Sequence, residues 1–171
     1  MRLHIGGEQP KKGWKILNIQ EAPHVDFIGD AGDLSQFDDE SVAEIYASHI
    51  LEHLGYVEEL PAALAEWYRV MKPGGLVMIS VPDMVALCRY FLTPGISQKD
   101  QFHLMRILFG GQMDPFDFHK VGFTEDFLRG FLVKAGFRNP KRVKNFNFFD
   151  DCSSLMLGKD KPVSLNMKAT K

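Results

Sequence analysis

The sequence predicts an α/β domain whose mostly parallel, doubly wound sheet ends in an antiparallel edge. Three observations carry this reading: strand-sized apolar runs fill the first third, helical periodicity follows, and β-like runs return after residue 140. With 171 residues, 45% of them hydrophobic, the chain has the size of one compact domain with its own core.

The opening runs are residues 3–5, 14–19, 25–28 and 42–47, each bounded by Gly, Pro or Asp. Residues 6–13 are fewer than the dozen or so that a helical crossover between parallel strands needs, so the first crossover should be a bare loop. From Val57 the apolar residues Val57, Leu60, Leu64, Trp67 and Met71 recur at helical spacing, with Glu58, Glu59, Glu66 and Arg69 on other faces. Pro61 fits the first turn, where its missing N–H costs nothing, and Lys72-Pro73-Gly74-Gly75 should stop the helix. Residues 76–81 read as a strand buried on both faces.

Asp83 can cap a helix carrying Met84, Leu87, Cys88 and Phe91, and Thr93-Pro94-Gly95 breaks it. Ser97 with Asp100 signals the start of another helix. Thr124 is the best-marked cap, since Glu125 and Asp126 favour the positive end of the helix dipole, Phe123 can staple onto Leu128, and Gly136 closes the helix. Residues 141–149 and 154–157, separated by Asp150-Asp151, suggest a terminal hairpin on the sheet edge. The domain is expected to span residues 1–158, with residues 159–171 a loosely held polar tail.

Twenty basic and 22 acidic side chains leave a formal charge of -2, which gives no electrostatic footprint for nucleic acid or an anionic membrane. Cys88 and Cys152 lack the spacing of a disulfide framework or a zinc site. Neither a long apolar run nor a signal peptide is recognisable, so the cytoplasm is the expected compartment.

Ligands of such sheets bind beyond the carboxyl ends of the strands, where the strand order reverses. The residues at those ends are Gly6-Gly7-Glu8, Gln20-Glu21, Gly29-Asp30-Ala31 and Ser48-His49. Glycines there permit close backbone approach to a ligand or simply a tight turn, and Asp30 can read a purine's amino edge or make an ordinary Asx turn.

The strings 41–54 (Ser-Val-Ala-Glu-Ile-Tyr-Ala-Ser-His-Ile-Leu-Glu-His-Leu), 66–75 (Glu-Trp-Tyr-Arg-Val-Met-Lys-Pro-Gly-Gly) and Val81-Pro82-Asp83 together resemble a class I S-adenosylmethionine-dependent methyltransferase. Gly13-Trp14 after a short first loop, with Gly111, Asp117, Phe118, His119 and Gly122-Phe123-Thr124, is similar to a small bacterial subgroup that lacks the first crossover helix. The likeness runs from Leu3 to about Phe137 and implies a seven-strand sheet.

The resemblance implies S-adenosylmethionine as cofactor, with Gly6 and Gly7 lining its methionine part, Gln20 facing the ribose, Asp30 and Ala31 the adenine, and Ser48 with His49 beside the sulfonium. It implies methyl transfer to a small or polymer-attached acceptor. His119, placed before the best-capped helix, is the candidate catalytic base.

Two positions depart from the family pattern. Glu8 stands where a second glycine is usual, and Gln20 where an acid usually accepts from both ribose hydroxyls. They favour, as the alternative, a degenerate binding module that has lost the cofactor. A nicotinamide oxidoreductase is disfavoured because the three-glycine fingerprint and its helix are missing. His49-Ile50-Leu51-Glu52-His53 matches an inverted zinc-peptidase motif, which needs a helix from His49 and a distant third ligand; here the segment leaves a strand and the same string is usual at this place in the resembled family, so no metal site is expected. Phe146, Phe148 and Phe149 read mainly as packing against the sheet.

Overall fold

A computed structural model describes residues 1–157 and 161–171. Its main sheet has seven strands in the order β3-β2-β1-β4-β5-β9-β6. Strands β1 (Arg2–Ile5), β2 (Lys15–Asn18), β3 (Phe27–Ile28), β4 (Val42–Ser48) and β5 (Met71–Pro82) run parallel. Strand β9 (Ser164–Thr170) enters antiparallel between β5 and β6 (Arg138–Val143). The order reverses between β1 and β4, which fixes where a crevice can open.

The connection from β1 to β2 holds no helix, as its length requires. Helix α1 (Glu59–Val70) buries Leu60, Ala63, Leu64, Trp67 and Val70, whereas Val57 is 73% exposed and stays off the apolar stripe. The helix ends before Lys72 because Met71 already pairs with Val42 in the sheet. Caps form at all three expected places: Asp83 Oδ1 accepts from Ala86 N (3.1 Å) on α2 (Met84–Phe91), Ser97 Oγ from Asp100 N (3.1 Å) on α3 (Gln98–Phe109), and Thr124 Oγ1 from Phe127 N (3.2 Å) on α4 (Glu125–Lys134).

One sheet face packs Leu3, Ile5, Ile45, Ala47, Val77 and Ile79 against Trp67 of α1 and Leu128 and Leu132 of α4. The other face carries Trp14, Tyr46 and Met78, covered by Phe146 and Phe149. Tyr46 donates to Asp151 Oδ2 at 2.8 Å, tying the segment after β6 across the end of β4.

The C-terminus corrects the expected tail. Residues 164–170 form β9, an inner strand, while Gly158, Lys159 and Asp160 lie outside the described residues. Leu165, Met167 and Ala169 alternate along β9 and pair with Val81, Ile79 and Val77, so a polar-looking segment has one fully apolar face. The antiparallel edge is therefore β9 with β6, and not residues 141–149 with 154–157. Residues Met156–Leu157 (β7) pair instead with Lys161–Pro162 (β8) in a separate small hairpin.

Candidate active site

A crevice of about 1230 Å³ opens at the carboxyl ends of β1, β2 and β4. It exceeds the volume that a single drug-sized ligand commonly fills, about 300–1,000 Å³, and so has room for a donor and an acceptor side by side.

Gly6 forms its first wall. It has φ +70° and its N–H donates to Leu17 O at 2.8 Å, and a Cβ here would fall 2.0 Å from Ile50 Cδ1. The left-handed backbone is what requires glycine, since the Ile50 methyl end could swing aside. Gly7 differs: it is buried beneath the crevice and does not line it, because its bare Cα receives the ring of His4. Its expected place beside a ligand is corrected to a packing position.

Gln20 lines the crevice after β2, and its N–H donates to Asn18 Oδ1 at 3.0 Å. Asn18 in turn donates to Gly7 O at 3.2 Å, holding the first two loops together. Sequence reasoning missed Asn18, although a polar residue ending an apolar strand was the available signal. Glu21 does not line the crevice.

Asp30 and Ala31 line the neighbouring wall. Asp30 Oδ1 accepts from Gly32 N at 2.7 Å in an Asx turn, which leaves Oδ2 free of that bond. Ala31 is held from behind: its carbonyl accepts from Trp67 Nε1 at 2.7 Å. Arg69 donates to Leu34 O and Phe37 O, both at 3.0 Å, and pairs with Glu66. The Glu66-Trp67-Arg69 string of α1 thus fixes the loop after β3.

Ser48 and His49 stand at the end of β4. Ser48 Oγ is buried outside hydrogen-bonding geometry. His49 adopts φ +56°, its Nδ1 lies 3.2 Å from Glu52 Oε1, and its Nε2 lies 2.9 Å from Ser164 Oγ. That hydroxyl donates to Cys152 O at 2.6 Å, so His49 Nε2 is the donor of the pair.

His119 also lines the crevice, brought there by backbone bonds from Lys120 N (2.7 Å) and Val121 N (3.3 Å) to Glu52 O. Its ring meets that of His53 edge-on at 4.8 Å between centroids. Burial lowers its pKa, against the opposing pull of the Glu52 carboxylate, so the imidazole is held toward its neutral form. Glu52 itself is fully buried; burial raises its carboxyl pKa, but the surrounding imidazoles, His49 foremost, outweigh this and leave it lowered. Glu8 is exposed on the rim of the crevice.

Residues 11–79 match the family model described as methyltransferase domain. The chain has the class I methyltransferase fold. Over 99% of its length it superimposes on 85% of a SAM-dependent methyltransferase from Archaeoglobus fulgidus, at 18% identity and a TM-score of 0.61. It likewise covers 70% of the 1,6-didemethyltoxoflavin-N1-methyltransferase of Burkholderia thailandensis, solved with S-adenosylhomocysteine (99% of this chain, 16% identity, TM-score 0.59). A SAM-dependent methyltransferase from Methanosarcina mazei is matched over 99% of this chain and 91% of that one (18% identity, TM-score 0.57). A search of curated proteins found no match. The Archaeoglobus protein is named as SAM-dependent and the Burkholderia one was solved with S-adenosylhomocysteine, so the shared fold makes S-adenosylmethionine the group whose fit to the crevice is to be asked. Among the described residues no helix is long and apolar enough to cross a membrane.

The residues present fit that cofactor. Gly6 brings bare backbone to the crevice wall in a left-handed turn, Asp30 keeps one carboxylate oxygen clear of its turn, and Ser48 holds an unpaired buried hydroxyl. Gln20 can accept one ribose hydroxyl, without charge assistance.

Proposed function

We propose that the protein transfers a methyl group from S-adenosylmethionine to a small or polymer-attached acceptor. The observation that carries this is the crevice at the strand-order reversal, lined together by Gly6, Asp30, Ala31, Ser48 and His49. When bound, the cofactor supplies an electrophilic sulfonium methyl for in-line displacement.

Gly6, Gln20, Asp30, Ala31, Ser48 and His49 hold the donor, and rigid support from Trp67 and Arg69 keeps the Asp30 wall in place. Holding donor and acceptor in line provides most of the acceleration in such a reaction. His119, kept toward neutrality by burial, is the candidate to take the acceptor's proton. The rim aromatics Phe116 and Phe118 can cover an acceptor and exclude water.

The test is calorimetric titration of the full chain with S-adenosylmethionine and S-adenosylhomocysteine, with thermal shift as a second readout. Saturating ligand should stabilise the fold by about 3 kcal/mol at a hundredfold excess over Kd. Absence of binding by both would overturn the reading. It would favour a non-catalytic module, which the acidic rim residue Glu8 supports.

A further inference from the structure

We propose that Glu52, His53 and His119 form a binding site for a divalent first-row transition cation, with zinc as the best-matched ion, at the floor of the crevice. The ligand atoms of these three residues lie within 4.8 Å of one another. Each residue is prepared for ligation in a different way.

Glu52 is 0% exposed; its Oε2 has no hydrogen-bond partner, and Oε1 has only the His49 ring nitrogen at 3.2 Å beside it. A buried carboxylate with an oxygen left unpaired is costly, and such groups persist where a cation or its equivalent compensates them. His49 Nδ1, 3.2 Å from Oε1, supplies partial compensation from one side only.

His53 directs Nδ1 to Phe118 O at 3.2 Å, which leaves Nε2 as its ligating atom. His119 makes a backbone hydrogen bond with Ile107 while its Nδ1 is buried and unpaired. In both rings one nitrogen is occupied by a main-chain carbonyl and the other is left free. That arrangement fixes the tautomer of a metal-ligating histidine.

Two imidazoles and one carboxylate favour zinc and its neighbours over magnesium or calcium, which prefer all-oxygen shells. Ligand atoms around a cation bonded at about 2.1 Å sit roughly 3.4 Å apart, so the side chains must draw inward by small rotations. His53 and His119 line the crevice whereas Glu52 lies behind them, so the open coordination positions face the crevice. Resting on the methyl-transfer reading, this makes an acceptor with a ligating oxygen the fitting substrate class; His119 serves as ligand when the cation is bound and as the candidate base only when it is not.

The test uses the full chain stripped with chelator and titrated with zinc, followed by cobalt as a spectroscopic substitute. One ion per chain is expected, with a tetrahedral or five-coordinate cobalt spectrum and no thiolate charge-transfer band. H53N and H119N, checked for native circular dichroism, should each weaken binding by more than the roughly tenfold to hundredfold that loss of an outer-shell partner costs. E52Q should do the same, and because it removes a buried charge, the histidine variants keep the test informative if it does not fold. No stoichiometric binding, a thiolate band, or unchanged affinity in the histidine variants would overturn the site. Metal binding without any S-adenosylmethionine binding would keep the cation site and overturn methyl transfer.

Discussion

A Cβ placed on Gly7 would lie 2.6 Å from Nδ1 of His4, closer than two such atoms can approach. His4 is only 4% exposed and packs its ring 4.1 Å from Phe149 and 5.0 Å from Tyr46, so those two rings resist its displacement. Gly7→Ala should therefore destabilise the fold by about 1–3 kcal/mol through overpacking. The double variant with His4→Ala should recover much of that loss, and a double-mutant cycle in urea would measure the coupling. Additive effects would show that Gly7 is not glycine because of His4.

The same burial predicts a pH dependence. Loss of hydration lowers the His4 pKa from 6.5 to about 4, against the opposing charge of Asp151. The unfolded chain thus binds the proton below 6.5, and the folded chain only near 4. The contribution of neutral His4 is complete above 6.5 and is lost as pH falls through that window, by at most about 3 kcal/mol. The difference in urea midpoint between the native chain and His4→Gln, followed from neutral pH down to 4.5 or about there, should change with this sign. A difference that is constant with pH would remove His4 as the source.

What could be read from the sequence was local. Asp83, Ser97 and Thr124 are caps because a short polar side chain precedes an apolar helical stripe, and each makes its bond. The crevice walls Gly6, Asp30 and Ser48 follow from strand ends and the family likeness. Gly7 was misplaced because the reason for its glycine is the ring of His4 three residues back, a contact that no spacing in the sequence reports. The cluster of Glu52 with His119 was hidden because backbone bonds from Lys120 and Val121 join segments far apart in sequence, which no periodicity reports. β9 was hidden because Asn166, Lys168 and Lys171 mask the alternation of Leu165, Met167 and Ala169.

Glu8 and Gln20 both line the crevice, and each should weaken donor binding. Glu8→Gly removes a negative charge from the loop expected beside the cofactor's carboxylate, for a gain of about 1 kcal/mol or fivefold in Kd. Because Glu8 is exposed, that gain should shrink as salt is raised. Gln20→Asp restores a charged acceptor for the ribose and should add a comparable gain that is less sensitive to salt. Calorimetry with S-adenosylhomocysteine at two ionic strengths separates the two. Unchanged affinity in both variants would mean that these positions do not meet the cofactor.

Ser80 sits in β5 fully buried with its hydroxyl unpaired. Ser80→Ala removes a desolvated polar group at little change in volume, so it should stabilise the fold by up to about 1 kcal/mol, visible as a higher Tm. A fall in Tm would indicate that the hydroxyl has a partner, such as a bound water.

The strongest test of the architecture lies at the C-terminus. Leu165 and Met167 are fully buried and stand opposite Val81 and Ile79, at the centre of a sheet covered by α4. Leu165→Ala should cost about 2–5 kcal/mol, the range for a buried leucine whose cavity cannot collapse. Lys168→Ala, on an exposed position of the same strand, should stay within about 0.5 kcal/mol. Truncation after residue 163 removes the partner of both β5 and β6, leaves two rows of backbone groups unpaired, and should prevent cooperative folding. A truncated chain that still melts in one sharp transition near the native Tm would refute the inner-strand placement of β9.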